Sequence, residues 1–230
     1  MDKFLAWLHQ LKWDMLWQTL LLVAASLLCI TFHETSHGLA AYWLGDDTAK
    51  RQGRLSLNPL RHVDLMGLVV MAICRFGWAK PVPIDMRRFK RPKTGMALTA
   101  LAGPVSNLLL AYVAVLLAMV CAGVYLRTGS TAVYYIWTFF YLVEIISAGL
   151  AVFNLFPIPP LDGSKVLFAC LPDTWYETLM RYERYGMALL AVLLLTGVLD
   201  TPLEFLRDGL TGLLEAAGTW PLALVMRLSA

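Results

Sequence analysis

Residues 15–44, 96–126 and 131–156 are apolar runs, each longer than the about 20 residues needed to cross the hydrocarbon core of a bilayer. A chain with three such runs has to satisfy its backbone inside lipid, and helices do that within a single segment. The rest of the chain agrees. It is 59% hydrophobic and only 15% charged, against about 25% charged in an ordinary soluble domain. This excludes a disordered chain, a basic nucleic-acid arm and a soluble globule, and the net charge of +3 is too small to argue for a polyanionic partner. The expected fold class is an all-α polytopic membrane protein forming one domain over residues 1–230.

The cysteines Cys29, Cys74, Cys121 and Cys170 all stand in apolar stretches and make no C-x-x-C pair. They read as small buried hydrophobes rather than as a thiol metal site. No cleavable secretory leader is visible, since Asp2, Lys3, Lys12 and Asp14 interrupt the first fourteen residues. Between the first two runs, residues 45–94 form a polar and basic stretch. Within it Gln52 to Leu57 alternates as a short strand would, and Val63 to Ala79 is apolar but at the lower limit for a span. Residues 80–93 carry Lys80, Arg87, Arg88, Lys90, Arg91 and Lys93 against Asp85 alone. After the third run, prolines break the chain at residues 157–163. Residues 164–199 then read as helices, with 174–199 continuous, and residues 202–217 as an interfacial or short packing helix.

A polar island, His33-Glu34-Thr35-Ser36-His37, interrupts the first run. On a helix, positions i and i+4 share a face, so both imidazoles can address one metal ion. Glu34, one residue on, can reach a metal-bound water without ligating, as suits a general base. A crude frequency product gives about 0.002 accidental occurrences of this pattern in the chain. The alternative is a polar helix face serving a transporter or proton relay. That alternative predicts paired or inverted hydrophobic halves, which the sequence lacks.

A zinc hydrolase needs a third protein ligand. His9 and His62 lie in polar contexts that suit surface histidines. Asp162, in the proline-rich break after the third run, is the leading candidate. Asn107, an amide inside an apolar helix, needs partners and could donate to a substrate carbonyl or developing oxyanion.

The three segments together resemble the site-2 proteases, intramembrane zinc metalloproteases. That family has H-E-x-x-H in one transmembrane helix, G-P-x-x-N in the next core helix and N-x-x-P-x-P-x-L-D-G in a third. Here His33 to His37, Gly103 to Asn107 and Asn154 to Gly163 match in that order. The resemblance covers roughly residues 15–170. It implies a three-helix catalytic core with accessory helices, and zinc (Zn2+) held by His33, His37 and Asp162. It further implies Glu34 as catalytic base, with Asn107 and Asn154 contacting substrate or the transition state. The substrate would be a transmembrane protein or peptide, cut within or near its spans in the lipid bilayer. The chain is similar to the compact branch of the family, with no room seen for a PDZ or nucleotide-sensing module.

Topology constrains how these ligands meet. If the basic loop 80–93 is cytoplasmic, residues 131–156 run inward and Asp162 lies near the cytoplasmic face, in the cell (inner) membrane. His33 and His37 join it there only if the first span also runs inward. Residues 63–79 then have to re-enter rather than cross. An edge strand near Gln52 to Leu57 could hold an unwound substrate by β-addition.

Overall fold

The computed structural model describes residues 13–64, 66–67 and 79–227. Its core is three long helices: α1 (Trp13–Trp43), α3 (Pro92–Thr128) and α4 (Thr131–Leu155). A one-turn helix α2 (Thr48–Arg51) follows α1. Beyond the core lie α5 (Asp162–Ala169), α6 (Asp173–Tyr182), α7 (Gly186–Leu195), α8 (Asp200–Gly218) and α9 (Trp220–Arg227). Among the described residues, Met15–Trp43, Pro92–Thr128, Thr131–Leu155 and Asp200–Arg227 are long and apolar enough to cross a membrane.

Local chemistry sets the boundaries of these elements. Pro92 opens α3, where its missing N–H costs nothing, and Gly129 closes it with a left-handed φ of 60°. A two-residue turn therefore lays α3 and α4 antiparallel. Their contact with α1 is made by small residues: Ala25 and Cys29 of α1, Ala114 of α3, with Val143 of α4. Lipid tails are as apolar as leucine, so close backbone approach through small side chains replaces the hydrophobic drive. The prolines at 157, 159 and 160 cannot continue α4, and the chain turns into α5 with Asp162 as its first helical residue.

The stretch between α1 and α3 leaves and returns at one end of the bundle. Asp46 is fully buried; its Oδ2 accepts the Asp85 N–H at 2.6 Å and its Oδ1 the Thr48 N–H at 3.0 Å. Arg88 reaches Asp47 at 2.6 Å. Further in, the Lys80 N–H donates to the His62 carbonyl at 2.9 Å, so the two feet of residues 63–79 touch. The body of that expected re-entrant segment, residues 65 and 68–78, lies outside the described residues.

Three expectations are corrected. Gln52 to Leu57 forms no strand. Its alternation arises because Leu55 packs on Gly38 of α1 while Arg54 points the other way, to the carbonyls of Lys80 and Pro81. The amides of Arg54 and Ser56 close local turns onto Ala49 and Arg54, which leaves no ladder. His62 is no surface residue: it is 1% exposed, with Nε2 donating to the Ser56 carbonyl at 2.8 Å. The helix over 174–199 is broken by a 3-10 turn at Glu183–Tyr185. The break brings Gly186 against Pro159, so close that a Cβ there would overlap the proline.

Burial works against the charge of Asp46, yet the Thr48 hydroxyl, the amides of Asp85 and Thr48, and Arg88 hold its carboxyl below its ordinary value of 3.8. Its stabilising contribution is therefore complete above about pH 4 and is lost as pH falls through the lowered folded-state value. Asp46→Asn should cost about 2 kcal/mol at pH 7 and should show a smaller acid-induced drop in Tm than the parent. Thermal unfolding in detergent at pH 7 and pH 3 checks both.

Candidate metal centre

His33 and His37 stand one turn apart on α1, and their rings meet edge to face with centroids 4.5 Å apart. Both Nε2 atoms point at one carboxylate oxygen. Asp162 Oδ2 lies 3.2 Å from His33 Nε2 and 3.1 Å from His37 Nε2, and the two nitrogens are 3.0 Å apart. All three residues are buried. Ligands at tetrahedral corners about 2.0 Å from a zinc ion are separated by about 3.3 Å. The triangle is thus close to the size that a tetrahedral cation requires. Three electron-pair donors aimed at one point repel each other unless positive charge lies between them, so the donor set fits a divalent metal.

The remaining ring nitrogens fix the tautomers. His37 Nδ1 donates to the Thr99 carbonyl at 2.7 Å, which leaves Nε2 as the electron-pair donor. His33 Nδ1 lies 3.2 Å from the Asn107 amide, whose Oδ1 is buried without a partner among the described residues. With the amide turned so that Oδ1 faces the ring, Oδ1 accepts the imidazole Nδ1–H and His33 Nε2 is free for a metal. Burial opposes the charge of Asp162, but the two imidazoles and Lys165, 3.6 Å from Oδ1, hold its carboxyl well below the usual range.

Gly103 makes this approach of α1 and α3 feasible. A Cβ at that position would lie 2.5 Å from His37 Nε2 and 2.6 Å from His33 Cε1. Gly163 performs a similar task beside Asp162, where a Cβ would run into the Leu155 and Phe156 carbonyls.

Glu34 sits outside the ligand triangle and lines a cavity of about 250 Å³ together with His33, Asn154 and Leu161. Its Oε2 accepts the Val82 N–H at 3.0 Å. Pro81 and Pro83 flank Val82, so this three-residue stretch has a single amide proton, and it goes to Glu34. The buried Arg54 guanidinium holds the stretch by donating to the Lys80 carbonyl at 2.6 Å and the Pro81 carbonyl at 3.2 Å. Sequence reasoning missed Arg54 and Val82. The only signal was a buried-sized cation followed by a Pro-x-Pro triplet, and a backbone donor leaves no trace in residue type.

The two asparagines occupy different places. Asn154 lines the cavity, with Nδ2 donating to the Leu150 carbonyl at 3.0 Å. Asn107 is 0% exposed behind His33 and does not line the cavity.

The chain is similar to known proteins. Residues 123–197 match the family described as Peptidase family M50, a range that contains Asn154 to Gly163. The chain is 39% identical to YwhC of Bacillus subtilis, designated a zinc metalloprotease, over 76% of this chain and 80% of that relative. Rip2 of Mycolicibacterium smegmatis and Rip2 of Mycobacterium tuberculosis bear the same designation. They are 29% and 27% identical over 79% and 78% of this chain and 69% and 68% of their own lengths. No solved structure matches the chain.

Gly103→Ala should push the imidazoles off Asp162 and lower zinc affinity at least tenfold while helicity is unchanged. Zinc titration beside circular dichroism of the purified protein checks this.

Proposed function

Since the chain belongs to peptidase family M50, the site-2 proteases, we propose that this integral membrane metalloprotease hydrolyses peptide bonds within or near the transmembrane segments of membrane protein substrates. One observation carries the reading. Two imidazoles from α1 and a carboxylate from α5 converge within 3.2 Å beside a cavity that also contains an unligated glutamate. Hydrolysis gives both the three converging donors and the neighbouring glutamate a task, as metal site and general base.

His33, His37 and Asp162 would hold zinc. When bound, zinc supplies Lewis acidity, making water a stronger acid and polarising a carbonyl. Glu34 does the proton work. With Oε2 occupied by the Val82 amide, Oε1 faces a water in the cavity and takes its proton as the water oxygen attacks the peptide carbonyl carbon. When the C–N bond breaks, the same carboxyl returns the proton to the leaving nitrogen. Asn154 keeps one amide hydrogen and its Oδ1 free for the backbone of the substrate. Asn107 acts through His33, fixing its tautomer and ring orientation.

A helical substrate hides its carbonyls in i to i−4 bonds, so cleavage requires local unwinding. An apolar groove of about 430 Å³, lined by Leu155, Phe156, Leu206 and Leu210 between α4 and α8, supports delivery from the membrane. Its Leu155 and Phe156 follow directly on Phe153 and Asn154 of the site cavity. The end of α1 that carries His33 and His37, and the start of α5 that carries Asp162, share a side with Arg87, Arg88, Lys90 and Arg91. That charge supports a site near the cytoplasmic face of the cell's inner membrane. The joined feet of residues 63–79 support re-entry of that segment over a single crossing.

Glu34→Gln tests the reading. Co-reconstituted with single-span membrane reporters, it should lose cleavage by about 10²–10⁴-fold while zinc content stays at the parent level. Undiminished cleavage would overturn the assignment. Arg54→Ala should lower cleavage about tenfold with zinc retained, and should speed amide exchange at Val82. Arg54→Lys should recover part of both effects.

A further inference from the structure

Away from the metal centre, a pocket of about 350 Å³ opens where α1 ends and α3 begins. Trp43, Phe89 and Leu98 form its apolar walls, and Lys90, Arg91 and Thr94 its polar mouth. Trp43 closes one membrane-length helix and Pro92 starts the next, so the pocket lies at the depth where both leave the bilayer. The cations in this loop divide into two kinds. Arg88 is bound to Asp47 and lies near Asp46 and Asp85, and Lys93 is bound to Asp173. The side chains of Lys90 and Arg91 have no carboxylate or hydrogen-bond partner among the described residues. The start of α3 has no acidic residue in its first turn and no side-chain cap. Below the mouth, Leu98, Val105 and Leu109 expose a continuous apolar track along α3.

Two unpaired cations above an apolar wall match one kind of molecule: phosphate charge at one end, hydrocarbon at the other. We propose that this pocket is a binding site for one anionic glycerophospholipid. Lys90, Arg91 and the Thr94 hydroxyl hold the headgroup phosphate, and an acyl chain follows Leu98, Val105 and Leu109. The site is separate from substrate cleavage and does not depend on it. Trp43, with 74% of its surface exposed, covers the glycerol region, as interfacial tryptophans do.

The test is native mass spectrometry of the full chain titrated with dioleoyl phosphatidylglycerol or dioleoyl phosphatidylcholine in mixed micelles. The expected result is one retained phosphatidylglycerol, favoured at least fivefold over phosphatidylcholine. Lys90→Gln with Arg91→Gln should weaken it about thirtyfold, and Leu98→Asn should weaken it without changing the charge. Arg87→Gln removes the same single charge as either Lys90→Gln or Arg91→Gln alone, but outside the pocket, and should leave binding as in the parent. Equal retention of the two lipids, or an equal loss in Arg87→Gln, would overturn the proposal in favour of diffuse surface charge. Complete displacement of the lipid by millimolar inorganic phosphate would overturn it in favour of a bare anion site. Each single variant, Lys90→Gln and Arg91→Gln, should show part of the loss, which keeps the test open should the double variant fail to fold.

Discussion

One carboxylate oxygen facing two imidazole nitrogens is the interaction on which the rest of the architecture depends. In an apolar bundle these three groups are costly apart and repel when brought together, unless a cation unites them. They come from α1 and from the first residue of α5, separated by two full membrane-length helices. Everything between therefore has to return those two points to the same depth. The antiparallel α3–α4 pair does this, and the proline stop at the end of α4 turns the chain so that Asp162 heads a new short helix.

Close approach is bought with missing side chains. Gly103 and Gly163 each stand where a methyl group would collide with a ligand's ring or with backbone. Ala25, Cys29 and Ala114 do the same work deeper in the bundle. Polar groups fill what remains: Thr99 and Asn107 fix the two imidazoles from α3, while Arg54 and Val82 fix Glu34 from the chain between α1 and α3. The candidate metal centre is thus gripped from helix α3, and the glutamate from an extended stretch outside the long helices.

Much of this was legible before any coordinates. The three long runs showed through hydropathy, because lipid leaves so few solutions for a backbone. His33 and His37 showed through their spacing, because helical periodicity alone makes them neighbours. Asp162 showed only as the leading candidate, through the proline-rich break beside an H-E-x-x-H, and the resemblance strengthened it, since an Asp-Gly turn has no spacing rule that ties it to a helix 125 residues upstream. The stretch from Gln52 to Leu57 misled because alternation reports two differing environments, and a strand is only one way to make them. Here the environments are α1 on one side and the Lys80–Pro81 backbone on the other. His62 misled because its polar neighbours turn inward with it: Ser56 and Thr35 are its partners, not solvent. Asn107 was recognised as an amide in need of company, yet its partner is a ligand's ring rather than an open cleft.

The Lys80 N–H to His62 carbonyl bond has a consequence for how such a chain can vary. Chain entering at one foot and leaving at the other is closed at its base, and the strain of any change in its length ends there. Loop entropy grows only slowly with added residues. A change of length between residues 63 and 79 therefore adds little entropic cost to closing the loop at that bond. The same bond ties the approach to that segment to the Lys80–Val82 backbone, whose Val82 amide holds Glu34, so the loop's base and the general base share a single anchor.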